Sequence, residues 1–112
     1  MSSAAVRRYW GRLAAMGCIL CGGPAEIAHC HNGSIRERMQ EPKAKGKRLA
    51  RYDWLVLPLC PAHGRHPYPL ALDTDVAAWE RRYGTQAKYI DLLCGRTGIN
   101  LWELARDKRM AA

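Results

Sequence analysis

The sequence predicts an α+β fold in which a small stapled two-strand core is flanked by N- and C-terminal helices, all in one domain over residues 1–112. Three observations predict it. Apolar residues recur at helical spacing near both ends of the chain. An apolar run of strand length, Trp54-Leu55-Val56-Leu57-Pro58-Leu59, lies in the middle. Two short bites of metal-binding side chains, Cys18 with Cys21 and Cys60 with His63, stand beside turn-forming residues. These divide the chain into an N-terminal helix over 1–16, a core over 17–70 and C-terminal helices over 71–112.

In chain order, Val6, Tyr9, Trp10 and Leu13 form the apolar stripe of a helix over 3–16. Ser2 or Ser3 caps its start and Gly17 stops it. Arg7, Arg8 and Arg12 lie off the stripe, as a solvated face or a phosphate-facing one. Residues 18–23 read as a knuckle, two thiols followed by glycines that permit a tight turn. A short strand over 25–30 runs into Ala28-His29-Cys30-His31. Residues 32–51 are basic and interrupted by Gly33, Pro42 and Gly46, which predicts a long loop of the kind that carries function. The Trp54–Leu59 strand follows, and Pro58 pushes it towards a sheet edge or a strand end. Pro61, Pro67 and Pro69 keep the next stretch extended or turning, and Pro67 and Pro69 oppose an immediate helix. Helix resumes near Asp73 or Thr74 with Asp73 as N-cap and Val76, Trp79 and Tyr83 as its stripe. Gly84 breaks it, and Thr85 caps a further helix carrying Tyr89, Ile90 and Leu93. A last helix starts near Asn100, with Glu103 in capping-box position and Leu101, Leu104 and Ala105 buried.

The two bites form one expected zinc site. Zinc takes thiolate sulfur and imidazole nitrogen in a tetrahedron, and two ligands three residues apart can grip one ion from the same side. Between the bites lie 38 residues, so the site clamps two chain segments across an insertion. Residues 17–69 hold few apolar side chains for their length, and a region of that kind needs a staple. The five cysteines are an odd number, which suits metal binding better than complete disulfide pairing. Cys30 and Cys94 are read as non-ligands, Cys94 as a buried core thiol.

A net charge of +8 favours a polyanionic partner, above all nucleic acid. There is no membrane-spanning run and no signal-peptide order at the N-terminus, so a cytoplasmic location is expected. No catalytic serine arrangement, phosphate-binding loop or dinucleotide fingerprint is present. His29 and His31 are two apart, so in a strand they share one face and can line one cleft.

The stretches Cys18–Gly22, Ala28–Ser34, Asp53–His63 and Trp79–Gln86 together resemble zinc-containing HNH (ββα-metal) endonucleases, in particular phage-type HNH proteins related to the recombination enhancement nuclease. The similarity covers about residues 17–94. The Leu57–Cys60 and Tyr83–Gln86 pieces are its more specific parts. The resemblance implies a ββα-metal core, a structural zinc on Cys18, Cys21, Cys60 and His63, and magnesium or another divalent cation for catalysis. It implies hydrolysis of DNA phosphodiester bonds in phage or prophage recombination or DNA processing, and a link to recombinase-coated DNA. His29 fits the general-base position. His31 competes for that role or serves as a metal ligand. The chain departs from the family at Gly64, where a ligand side chain is usual. His66 is the nearest substitute, with Asp73 or Asp75 behind it. Arg36, Arg38, Lys43, Lys45, Lys47 and Arg48 would contact phosphates. The alternative is a catalytically degenerate zinc module that binds DNA or a protein.

Overall fold

In the computed structural model, residues 3–40 and 52–107 are described. Six helices and one antiparallel strand pair make up these residues, in the order α1 (Ala4–Met16), β1 (Glu26–His29), α2 (Gly33–Met39), β2 (Val56–Leu59), α3 (Pro61–Gly64), α4 (Val76–Tyr83), α5 (Gln86–Thr97) and α6 (Leu101–Arg106). The expected α+β class holds. Among the described residues no helix is long and apolar enough to cross a membrane.

The strands pair with Glu26 opposite Leu59, Ile27 opposite Pro58, Ala28 opposite Leu57 and His29 opposite Val56. Pro58 is tolerated because a two-strand sheet has only edges. Its carbonyl accepts from the Ile19 N–H at 2.9 Å, which ties the knuckle to the sheet. Helix α1 buries Val6, Tyr9 and Leu13, and its Ser3 cap accepts the Val6 N–H. The Tyr9 hydroxyl is buried with no hydrogen-bond partner among the described residues. Burial pushes its pKa up to about 12. The neutral phenol is therefore favoured in the folded state, and stability is lost as pH rises from the ordinary phenol range towards 12. Replacing Tyr9 with Phe is expected to raise stability by about 1 kcal/mol and to remove part of the alkaline loss, as thermal melts at pH 7 and pH 11 would read.

Five expectations change. The basic stretch 32–51 is not all loop, because residues 33–39 form α2. Its cationic surface concealed an apolar anchor: Ile35 is fully buried and Met39, one turn on, packs on the core. Residues 41–51, with Lys43, Lys45, Lys47 and Arg48, lie outside the described residues. The N-cap of α4 is Asp75, whose carboxylate accepts the Ala78 N–H at 3.0 Å; Asp73 is not the cap. Leu72 is fully buried and donates its N–H to the His63 carbonyl, which holds residues 71–73 against α3 and delays the helix. A one-turn helix, α3, forms directly after Cys60 because Pro61 occupies the first helical position, where proline costs nothing. In α6 the buried face is Leu101, Trp102 and Ala105, with Leu104 only half-buried. Cys94, likewise, is half-buried, whereas Cys30 is fully buried.

Candidate metal centre and histidine site

The knuckle is built by backbone bonds. The Cys18 N–H donates to the Gly23 carbonyl and the Gly22 N–H to the Cys18 carbonyl, each at 2.8 Å. This turn sets Cys18 and Cys21 on one side, and α3 sets Cys60 and His63 on the other. The four ligand atoms lie within 4.8 Å of one another, and among the described residues no other group of three or more His, Cys, Asp or Glu could hold a metal ion. The Cys21 and Cys60 sulfurs are 3.7 Å apart, and His63 Nδ1 is 3.8 Å from Cys18 Sγ and 3.0 Å from Cys60 Sγ. A tetrahedral ion with sulfur ligands at ~2.3 Å has edges of about 3.8 Å, so the donors fit zinc by chemistry and spacing.

The electrostatics agree. Burial works to raise the Cys18 thiol, but N–H groups of Cys60, Cys21 and Leu20 outweigh it and hold its pKa below the usual thiol value. At Cys21 the Gly23 N–H favours the thiolate, yet the Cys18 and Cys60 sulfurs oppose it and leave its pKa raised. A dication removes that crowding of like charges. Cys30 is not a ligand; burial pushes its thiol pKa up and keeps it protonated.

His29 ends β1, and its Nε2 lies 3.2 Å from Asp53 Oδ1. Asp53 is itself held by α1, because Trp10 Nε1 donates to its carbonyl at 2.8 Å. The Trp10 ring also meets the His29 ring edge-on at 5.5 Å. With Nε2–H directed at the carboxylate, Nδ1 keeps its lone pair, and no described residue bonds to it.

His31 has a different setting. The strand ends before it, and Asn32 turns the chain with φ 57°. The two histidines therefore meet different carboxylates. His31 Nε2 lies 3.2 Å from Asp73 Oδ1, and its Nδ1 accepts from Asn32 Nδ2 at 3.0 Å. Asn32 Oδ1 takes Arg36 NH2 at 3.0 Å, which fixes the amide orientation and hence the tautomer with Nε2–H. Both ring nitrogens of His31 are thus engaged.

A buried clamp positions this loop. Gln86 is fully buried, accepts the His31 N–H at 3.0 Å and donates to the His31 carbonyl at 2.9 Å. Glu80 accepts from the Ser34 N–H and hydroxyl and from the Gln86 N–H and side-chain amide. Its carboxylate passes so close to Gly33 that a Cβ there would lie 2.3 Å from Oε1, and φ of +45° strains any other residue. Gly33→Ala is therefore expected to lower stability by more than ~1 kcal/mol and loosen the His31 loop, as denaturant melts and hydrogen exchange of the His31 amide would show.

His66 is exposed and makes no hydrogen bond or ion pair among the described residues; it joins neither His29 nor His31 in a cluster. Gly64 is buried, and a Cβ there would meet Leu59 Cβ at 3.0 Å and Ala28 Cβ at 3.4 Å, so this position packs beneath the sheet and has no room for a ligand side chain. Asp73 runs alongside, its N–H donating to the Gly64 carbonyl at 3.3 Å. Arg38 pairs with Asp91 at 2.9 Å and lies over the Trp102 ring at 4.5 Å, and Arg36 is half-buried on Asn32, so each has a partner within the fold. Asp53, Gln86 and Glu80 are residues whose roles the sequence did not reveal. Their one signal was position: Asp53 directly precedes the second apolar run, and the other two lie in the Trp79–Gln86 stretch. No family model, curated protein or solved structure matches the chain.

Proposed function

We propose that the chain is a metal-dependent endonuclease of the HNH type that hydrolyses DNA phosphodiester bonds. The observation that carries this reading is the His29–Asp53 pair at the end of a strand tied to the zinc-binding knuckle. A base oriented by a carboxylate, with its second nitrogen open, is the arrangement general-base catalysis needs. In this reading Nδ1 of His29 takes a proton from water, the water oxygen bonds to phosphorus, and the bond to the 3′ oxygen breaks. The products are a 3′ hydroxyl and a 5′ phosphate. A divalent cation, magnesium or a similar ion, would supply charge stabilisation at the phosphate and leaving oxygen. Magnesium needs only one or two carboxylates beside phosphate and water, and in this reading Asp73, 3.2 Å from His31, would supply one. The zinc on Cys18, Cys21, Cys60 and His63 would be structural.

The net charge of +8 supports a DNA partner, and Arg8 and Arg12 on α1 stand exposed with no carboxylate partner among the described residues. A role on recombinase-coated DNA, in a phage or its bacterial host cytoplasm, belongs to the same reading. A second reading, a zinc module that binds DNA or protein without cutting, is favoured by the packing at Gly64. Nicking of supercoiled plasmid separates the two. Zinc-loaded protein is expected to nick with magnesium or manganese, leaving ligatable 5′-phosphate ends, and to be inert in chelator. Inertness across all divalent ions would select the binding module.

A further inference from the structure

A cavity of about 350 Å³ lies between the 69–70 segment and α4, and neither the zinc centre nor the histidine pairs use it. Its walls include Leu70, Asp75, Trp79, Arg81, Arg82 and Tyr83. Trp79 is almost wholly buried, fixed by its Nε1 donating to the His63 carbonyl at 3.1 Å. Tyr83 packs beside it at 5.5 Å and edge-on to the His63 ring at 5.5 Å. This wall is therefore rigid, aromatic and backed by a zinc ligand. The opposite wall is apolar and open, since Leu70 remains 45% exposed, with Tyr68 nearby at 46%.

The charges at the rim narrow the occupant. Neither Arg81 nor Arg82 pairs with a carboxylate among the described residues, and both are exposed. The Arg82 guanidinium lies 5.7 Å from the Tyr83 ring centroid, at the cavity mouth. Asp75 contributes a carboxylate whose Oδ1 caps α4, leaving Oδ2 as an acceptor. Flat aromatic surface, a carboxylate acceptor and two cations without a carboxylate partner together match a planar heterocycle that carries an N–H donor and a phosphate. The volume, at the low end of the ~300–1,000 Å³ of small-ligand sites, suits one ring system.

We propose that this cavity is a subsite for an unpaired nucleobase, which stacks against Leu70 and Tyr83 while its phosphate meets Arg81 and Arg82. The proposal rests on the nucleic-acid reading above and adds to it a preference for single-stranded or locally opened substrate. Stacking on aromatic side chains is sequence-tolerant, so the subsite confers strand state and no base choice.

The test uses zinc-loaded full-length protein and three fluorescent probes of equal length: oligo-dT, its abasic counterpart and a duplex. Wild type is expected to bind oligo-dT about tenfold more tightly than the abasic strand, as one stacked base would give. Leu70→Asp changes an exposed side chain on the stacking wall and is expected to erase that tenfold difference, whereas Arg82→Glu reverses a rim charge that meets phosphate and is expected to weaken binding of both strands. Leu70→Asp should leave duplex binding unchanged and so reports the pocket alone. Equal binding of dT and abasic strands, or a preference that survives Leu70→Asp, overturns the subsite while leaving the endonuclease reading intact. Binding to none of the probes overturns both. Binding of a protein at this cavity in place of oligo-dT would likewise defeat the proposal.

Discussion

Cys60→Ser is expected to abolish zinc binding and with it the cooperative fold of the middle of the chain. Cys60 Sγ sits between Cys21 Sγ and His63 Nδ1, so its loss opens the tetrahedron at the residue joining β2 to α3. Structural zinc contributes roughly 10–16 kcal/mol in small domains, comparable to or larger than the ~5–15 kcal/mol net stability of a whole domain. The apolar contacts cannot offset a loss of that size. Cys18→Ser should behave likewise, with the added cost that the N–H groups gathered around its sulfur lose their thiolate. Cys94→Ser, outside the cluster and half-buried, should retain one zinc per chain. Native mass spectrometry and thermal melts read these outcomes. A metal-free protein with an unchanged melting transition would refute the staple.

The second large effect follows from the proposed nuclease reading. His29→Ala is expected to lower the nicking rate by about 10²–10⁴-fold, the usual contribution of a positioned general base, while zinc content and DNA affinity stay near wild type. Asp53→Asn should cost less, because the imidazole remains but loses the carboxylate that orients it and fixes its tautomer. His31→Ala should act differently. With both of its nitrogens engaged, His31 holds Asp73, so its loss should raise the divalent-ion concentration needed for half-maximal rate. Equal losses of maximal rate for His29→Ala and His31→Ala, at saturating cation, would contradict this division of roles.

What could be read from the sequence was local. The cluster able to hold zinc follows from spacing, since each bite lies within a single turn. The caps at Ser3, Thr85 and Asn100 follow from side chains that reach three residues on, and all three make the expected backbone bonds. Helix α2 was hidden because its surface is basic and Gly33 reads as a breaker, although Ile35 anchors it. The pairs that orient the histidines are tertiary. Asp53 lies 24 residues from His29, Asp73 lies 42 from His31, and Gln86 lies 55 from the His31 backbone it clamps. No periodicity encodes such distances; they arise only when strand pairing and the packing of α4 and α5 bring the segments together. The same holds for Gly64, whose small size answers to Leu59 and Ala28 above it and to no local turn.

The most direct test of the central claim is chemical rescue of His29→Ala. The zinc-loaded variant is incubated with supercoiled plasmid, saturating magnesium or manganese and increasing imidazole. If His29 supplies the base from the Asp53 side of β1, the nicking rate should rise with imidazole from its depressed level, whereas wild type and Cys94→Ser should not respond. A His29→Ala variant that nicks as fast as wild type without imidazole, or a wild type as inert as the variant, would contradict it.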